Sequence, residues 1–254
     1  MKITVFNGAM RGRKSITNMM VQAFLQGAGQ AGADVEDVIL VEKKINHCLG
    51  CLKCWIKTPG KCIQKDDMAE LIEKYMASDL VLIASPLYVD NVTGLTKDFI
   101  DRLVPISDPH FELDENGESR HRNTAENYPG IMVMSNCGYP EQSSFQVVRL
   151  LFRRIARNLN GRFVAEIYRG CGGIFGVKDP AVAPIVNEYL ELLGKAGAEI
   201  ARDMKLSEQT IAALEQQLVP TDVYNAQVNM FWDSLMSGAG NSRTKDSNGP
   251  DERD

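Results

Sequence analysis

Leu80-Val81-Leu82-Ile83-Ala84 is an unbroken aliphatic run. A strand that is apolar at every position has to be covered on both faces, so helices must flank a mostly parallel sheet. The rest of the chain supplies the other elements of that plan. Lys2–Asn7 is a β-rich run stopped by Gly8, and Val35–Val41, Ile131–Ser135 and Phe163–Tyr168 have strand character as well. Between them, Met19, Val21, Phe24 and Leu25 mark a helix that stops near Gly29–Gly32. Met68, Leu71, Ile72, Tyr75 and Met76 mark a second, opened by Asp67 with Glu70 three positions on, as in a capping box. Thr93–Leu103, Ser143–Asn160 (closed by Gly161) and about Ala181–Met204 read as further helices. The alternation predicts the α/β class, as a doubly wound five-stranded parallel sheet in the order 2-1-3-4-5. In that order a ligand crevice opens at the carboxyl ends of strands 1 and 3.

Residues 1–205 hold this plan and 206–237 add a helical extension. A polar insertion over 106–128 is expected to be a lid or an oligomer contact. Residues 238–254 carry no large apolar side chain and are expected to lack order. The longest aliphatic run is too short to span a bilayer, and the first ten residues do not read as an export signal. A net charge of −5 gives no reason to expect nucleic acid. The expectation is a cytoplasmic protein with neither a membrane nor a nucleic-acid partner.

Three turns fall at the predicted crevice. The first, Gly8 to Asn18, is a glycine turn that opens a helix, where backbone N–H groups and the helix dipole favour a phosphate. Arg11 and Lys14 add positive charge, and Ser15, Ile16 and Thr17 form the helix start. A Walker A loop would need glycine at Arg13, and a dinucleotide fingerprint would need it at both Met10 and Arg13. Neither fits, which leaves a mononucleotide phosphate or a plain basic helix start. The second turn carries Pro86, Leu87, Tyr88, Asn91 and Val92, where Tyr88 can stack on a planar ring and Asn91 can donate to it. The third carries Cys137, Gly138 and Tyr139. Each could be an ordinary turn; together they form one cofactor-binding set.

These residues resemble the flavodoxin-like NAD(P)H-dependent FMN reductases, in particular the iron–sulfur flavoprotein branch. Gly8-Ala9-Met10-Arg11 followed by Ser15-Ile16-Thr17 is similar to that family's first loop, G-S-P-R-x-x-x-S-N-T, with Ala9, Met10 and Ile16 as departures. Ser85-Pro86-Leu87-Tyr88 with Gly94 to Arg102, and Cys137 to Glu141, resemble its other two flavin loops. The resemblance covers about residues 1–200. It implies FMN with its phosphate on the first turn and its ring between Tyr88 and the 137–139 turn.

Cys48, Cys51, Cys54 and Cys62 read C-x2-C-x2-C-x7-C within the loop 46–63. In a chain without an export signal such a group points to metal or redox chemistry. It resembles the motif with which iron–sulfur flavoproteins hold a 4Fe-4S cluster. Zinc needs the same thiolates but is usually held by two separated C-x2-C pairs, and four free thiols remain a third reading. The expected activity is transfer of electrons from NAD(P)H or a reduced ferredoxin-like partner, through FMN, to a small acceptor such as a quinone, a nitro or azo compound, or an oxygen species. No side chain is assigned as a conventional acid–base catalyst, because the flavin carries the chemistry. A homo-oligomer, dimer or tetramer, is implied by the family. A non-enzymatic flavin carrier or redox sensor and a zinc-stabilised binding module are the competing readings.

Overall fold

A computed structural model describes residues 1–243, with side chains through residue 237. The chain forms two compact units, Met1–Gln216 and a second that begins at Gln217. In the first unit five strands, β1 (Lys2–Asn7), β2 (Asp34–Ile39), β3 (Leu80–Pro86), β6 (Gly130–Asn136) and β7 (Phe163–Arg169), form one sheet. Its order is β2-β1-β3-β6-β7 and every pair is parallel. This is the expected 2-1-3-4-5 order, because the two intervening strands, β4 (Ser107–Leu113) and β5 (Ser119–Asn123), form a separate antiparallel pair. The register aligns Asn7 with Ala84 and Pro86 with Asn136, so the turns after β1, β3 and β6 leave one edge together.

Burial follows from the aliphatic runs. Leu80 to Ala84 and Ile131 to Met134 are all fully buried. On one face Phe6, Val81, Ile83 and Val133 share a core with α3 (Met68–Met76), α4 (Gly94–Asp101) and α5 (Gln146–Asn158). Phe6 stacks on Phe99 of α4 with ring centroids 4.4 Å apart. Elsewhere in this unit α1 (Ile16–Gln30) lies against α6 (Ala183–Asp203). Their approach is so close that a Cβ on Gly27 would overlap the Gly194 carbonyl oxygen, and one on Gly197 would overlap that of Phe24.

Two local expectations need correction. Asp67 does not cap α3: its carboxylate accepts the Lys44 N–H at 2.8 Å, and it is Asp66 that accepts the Met68 N–H. The expected 143–160 helix begins with a 3-10 turn, Gln142–Phe145, and the residue in the left-handed region at its end is Asn160 rather than Gly161. The 106–128 insertion folds as the β4–β5 hairpin. Asp114 accepts the Asn116 and Glu118 N–H groups to fix its turn, and Gly117 takes φ +75° there.

The hairpin is docked by charge. Arg157 donates to Asp114 at 2.7 Å and Arg154 to Glu118 at 2.7 Å, while Arg149 and Arg153 bind Glu166 of β7. The arginine face of α5 is therefore engaged within the fold. Helix α7 (Glu208–Glu215) packs on α6 and β7, where buried Arg169 donates to the Leu214 and Gln216 carbonyls and covers the Tyr189 ring. In the second unit α8 (Thr221–Arg243) exposes Met230, Phe231, Trp232, Leu235 and Met236. Of the tail expected to lack order, residues 244–254 lie outside the described residues.

Candidate functional site

The three turns are fastened to one another by buried hydrogen bonds. Gly8 N–H donates to the Ala84 carbonyl at 2.8 Å, and Thr93 Oγ1 donates to the Gly8 carbonyl at 2.7 Å, joining the first turn to the second. A side chain on Gly8 would collide with Thr96, so this crossing requires glycine. Leu87 N–H donates to the Asn136 carbonyl at 2.8 Å, joining the second turn to the third. Thr17 Oγ1 donates to Asn136 Oδ1 at 2.6 Å and closes the ring of contacts. Thr93, Ser85, Asn7 and Asn136 build this frame, and sequence reasoning did not single them out. Their only signal was small polar residues at the ends of apolar strands.

The first turn passes through a short 3-10 segment, Gly12–Lys14, with Gly12 at φ +51°. Ser15 caps α1: its Oγ accepts the Asn18 N–H at 3.0 Å and donates to the Gly12 carbonyl at 2.7 Å. The hydroxyls of Ser15 and Thr17 thus shape the turn, and the Ile16 and Thr17 amides begin the helix without an intrahelical acceptor. Arg13 is paired with Glu42. Arg11 and Lys14 are exposed, and among the described residues neither makes an ion pair. Two free cations beside open helix-start amides fit a phosphate.

The second turn is a two-residue hairpin, with Tyr88 and Asn91 exchanging backbone hydrogen bonds around Val89 and Asp90. Both central residues have positive φ, +48° and +59°. Pro86 and Leu87 are half-buried, Val92 is buried, and Tyr88 is half-exposed. Asn91 is exposed, and its Oδ1 accepts the Val92 N–H at 2.8 Å. In the third turn Gly138 and Tyr139 are exposed while Cys137 is buried. Burial pushes the Cys137 thiol up to about 11, against the opposing effect of the Tyr139 backbone, so this wall is uncharged at neutral pH. The Gly170–Gly172 turn abuts it: a Cβ on Gly172 would stand 2.8 Å from the Cys137 carbonyl oxygen. All thirteen expected cofactor residues lie on the three joined turns.

The four cysteines line a pocket together with Leu49, Leu52, Ile63, Arg102 and Pro105. Positive φ at Gly50, Leu52 and Gly60 folds the loop, and Cys54 rides on the short helix α2 (Lys53–Ile56). Trp55 anchors it by donating to the Ser107 carbonyl at 2.8 Å. Burial, then the nearby Cys62, Cys48 and Cys51, all raise the Cys54 thiol. Four thiolates gathered this way need a cation, so the donor set suits a metal-centred group. The sulfurs nevertheless share a pocket without being drawn together: among the described residues no three His, Cys, Asp or Glu side chains form a ready metal set. His47 does not join them; its Nδ1 meets Asp98 Oδ1 at 2.6 Å on the surface.

Residues 1–167 match the family model described as NADPH-dependent FMN reductase. The chain belongs to that family. Among curated proteins it is 38% identical over 134 residues to an iron–sulfur flavoprotein of Archaeoglobus fulgidus, covering 52% of this chain and 54% of that protein. It is 31% identical over 106 residues to an iron–sulfur flavoprotein of Methanocaldococcus jannaschii, covering 42% of this chain and 53% of that one. The matched stretches span about half the length of these relatives. Among solved structures, an FMN-dependent NADH-azoreductase of Bacillus anthracis in complex with FMN aligns with TM-score 0.58 at 16% identity, over 79% of this chain and 99% of that one. An NAD(P)H:quinone oxidoreductase of Methanothermobacter marburgensis aligns with TM-score 0.56 at 16% identity, over 79% and 96%. At those identities the structural likeness establishes the fold, which this family member shares. No helix among the described residues is long and apolar enough to cross a membrane.

Proposed function

We propose that this chain is an FMN-dependent oxidoreductase. It takes electrons from NAD(P)H or a reduced ferredoxin-like partner and delivers them to a small acceptor such as a quinone, a nitro or azo compound, or an oxygen species. The observation that carries the reading is the hydrogen-bonded ring of three turns, with unpaired Arg11 and Lys14 on the first and exposed Tyr88 and Tyr139 on the second and third. FMN supplies the hydride and electron transfer. Arg11, Lys14 and the amides of Ile16 and Thr17 hold the phosphate. Tyr88 and Tyr139 flank the ring, and Pro86, Leu87, Asn91, Val92, Cys137 and Gly138 give it an uncharged floor with peptide groups in reach. The azo and quinone acceptors named for the solved relatives support a small-molecule acceptor.

Cys48, Cys51, Cys54 and Cys62 hold a 4Fe-4S cluster in this reading, in line with the names of the curated relatives; zinc is the alternative. A cluster passes single electrons, which a flavin can combine with two-electron donors. A homo-oligomer suits the exposed Leu49, Leu52 and Ile56 of the cysteine loop and Phe111 and Leu113 of the hairpin. The working compartment is the cytoplasm.

The test is FMN titration of apoprotein by flavin fluorescence, followed by steady-state oxidation of NADH and NADPH with a quinone acceptor. Stoichiometric binding and turnover are expected. Binding without turnover would make the protein an electron carrier, and no binding would end the proposal.

A further inference from the structure

One wall of the cysteine pocket is neither sulfur nor aliphatic. Arg102, at the end of α4, is 2% exposed and lines the pocket beside Cys62. Its Nη1 donates to Asp66 Oδ2 at 2.6 Å and to the Asn46 carbonyl at 2.8 Å, and its Nη2 donates to Asp66 Oδ1 at 2.9 Å. The Asp66 carboxylate does not line the pocket, so the pair presents its positive member there. Asp101 also lines the pocket, with its carboxylate bound to Lys97 at 2.6 Å. Arg102 Nε is buried and has no hydrogen-bond partner. Cys62 lines the same pocket, and no N–H···S bond of ordinary geometry joins it to Arg102.

A buried donor without an acceptor is uncommon in a folded protein. The chain has placed this one in a pocket lined by four thiols, where the Asp101 carboxylate is taken up by Lys97 and the Gln64 amide donates to the His47 carbonyl. Four thiolates around a 4Fe-4S core or a zinc ion carry net negative charge, and hydrogen bonds to sulfur and nearby charge govern how such a group is held and at what potential it accepts an electron.

We propose that Arg102 is a positioning residue for the group held by the four cysteines: its free Nε donates to the Cys62 sulfur, and Asp66 locks the guanidinium in place to do so. The proposal rests on the reading that this loop holds an iron–sulfur cluster. It adds that the cluster is tuned by a cation supplied by the end of α4 and held by Asp66 from the segment before α3 and by the Asn46 carbonyl.

The experiment uses full-length protein purified anaerobically as wild type, Arg102→Gln, Arg102→Lys and the double variant Asp66→Asn/Arg102→Gln. Iron and labile sulfide per chain, the rate of cluster bleaching by a chelator, the midpoint potential and FMN content are measured on each. Wild type lacking iron and sulfide would overturn the cluster reading, and this proposal with it. With wild type loaded, Arg102→Gln is expected to lose iron roughly 10–100-fold faster, the usual cost of removing an outer-shell partner. Its midpoint should fall, because the reduced cluster has lost a donor and a positive charge, and Arg102→Lys should restore part of the midpoint. The double variant removes the stranded Asp66 carboxylate, so a role confined to folding predicts wild-type retention and potential there. That result, or unchanged retention and midpoint in Arg102→Gln, would overturn the Arg102 assignment and leave the cluster reading standing.

Discussion

Thr17 Oγ1 donates to Asn136 Oδ1 at 2.6 Å across 119 residues of sequence, and both residues are buried. The bond ties the start of α1 to the end of β6, and so ties the expected phosphate site to the expected ring site. Removing the hydroxyl while keeping its shape leaves the Asn136 oxygen without that donor.

Thr17→Val is therefore expected to destabilise the protein by about 1–3 kcal/mol, the cost of a stranded buried acceptor. It should also weaken FMN binding, whereas Thr17→Ser keeps the donor and should restore both. Urea unfolding of apoprotein and an FMN titration of each variant check this. A stable Thr17→Val protein with wild-type affinity would show that the closure is dispensable.

Asp66 gives an acid signature. Burial raises its carboxyl, but the Arg102 guanidinium and the Asn46 and Met68 N–H groups outweigh that and bring it to about 2, below the ordinary 3.8. A carboxylate depressed in the folded state stabilises above its unfolded pKa, and the contribution is lost as pH falls through the folded value. Its contribution of about 2 kcal/mol is thus complete at pH 7 and disappears between roughly pH 4 and 2. Asp66→Asn leaves Arg102 buried without its counter-ion and should cost about 3–5 kcal/mol at pH 7. Urea midpoints at several pH values should show a shallower acid slope for the variant; parallel slopes would contradict this assignment.

The α1–α6 contact yields a packing prediction. A Cβ at Gly27 or Gly197 would overlap a backbone carbonyl of the facing helix, which a rotamer change cannot relieve. Gly27→Ala should force the helices apart and cost about 1–3 kcal/mol, although alanine favours a helix over glycine. Gly29→Ala in the same helix meets nothing closer than 3.8 Å and should be neutral or stabilising. Thermal unfolding of the two variants separates overpacking from helix propensity.

Much of this architecture was legible from local patterns. The apolar runs Leu80–Ala84 and Ile131–Met134 carry the sheet order, because a strand buried on both faces allows few arrangements. The glycine and tyrosine turns were legible for a similar reason: each sits directly after such a run. The hairpin was not, since Asp108, Pro109 and His110 break the alternation of Ser107–Leu113, and its register shifts between Ser107 and Phe111. Nor was the part played by Arg102, whose partners Asp66 and Asn46 come from 36 and 56 residues away. The capping box at Asp67 misled because the adjacent Asp66, the same residue type, takes the Met68 N–H, while the Asp67 carboxylate is drawn to the Lys44 N–H. Local pattern predicts elements; the long-range polar bonds that shape the site leave no periodic trace.

Val89 is the most strained residue of the candidate flavin loop. It is β-branched, sits at φ +48°, and is 98% exposed, so no burial offsets the crowding of its side chain against its own backbone. A left-handed conformation costs an L-residue about 1–2 kcal/mol, and asparagine tolerates it far better. Val89→Asn should therefore stabilise the apoprotein by about 1 kcal/mol, read as a raised unfolding midpoint. Strain kept at an exposed turn suggests that the valine serves the ligand, since an apolar tip beside Tyr88 would cover one edge of a bound ring. On that account Val89→Asn gains stability without FMN and binds FMN more weakly. Were the variant to gain in both, the strain would have no part in holding the cofactor.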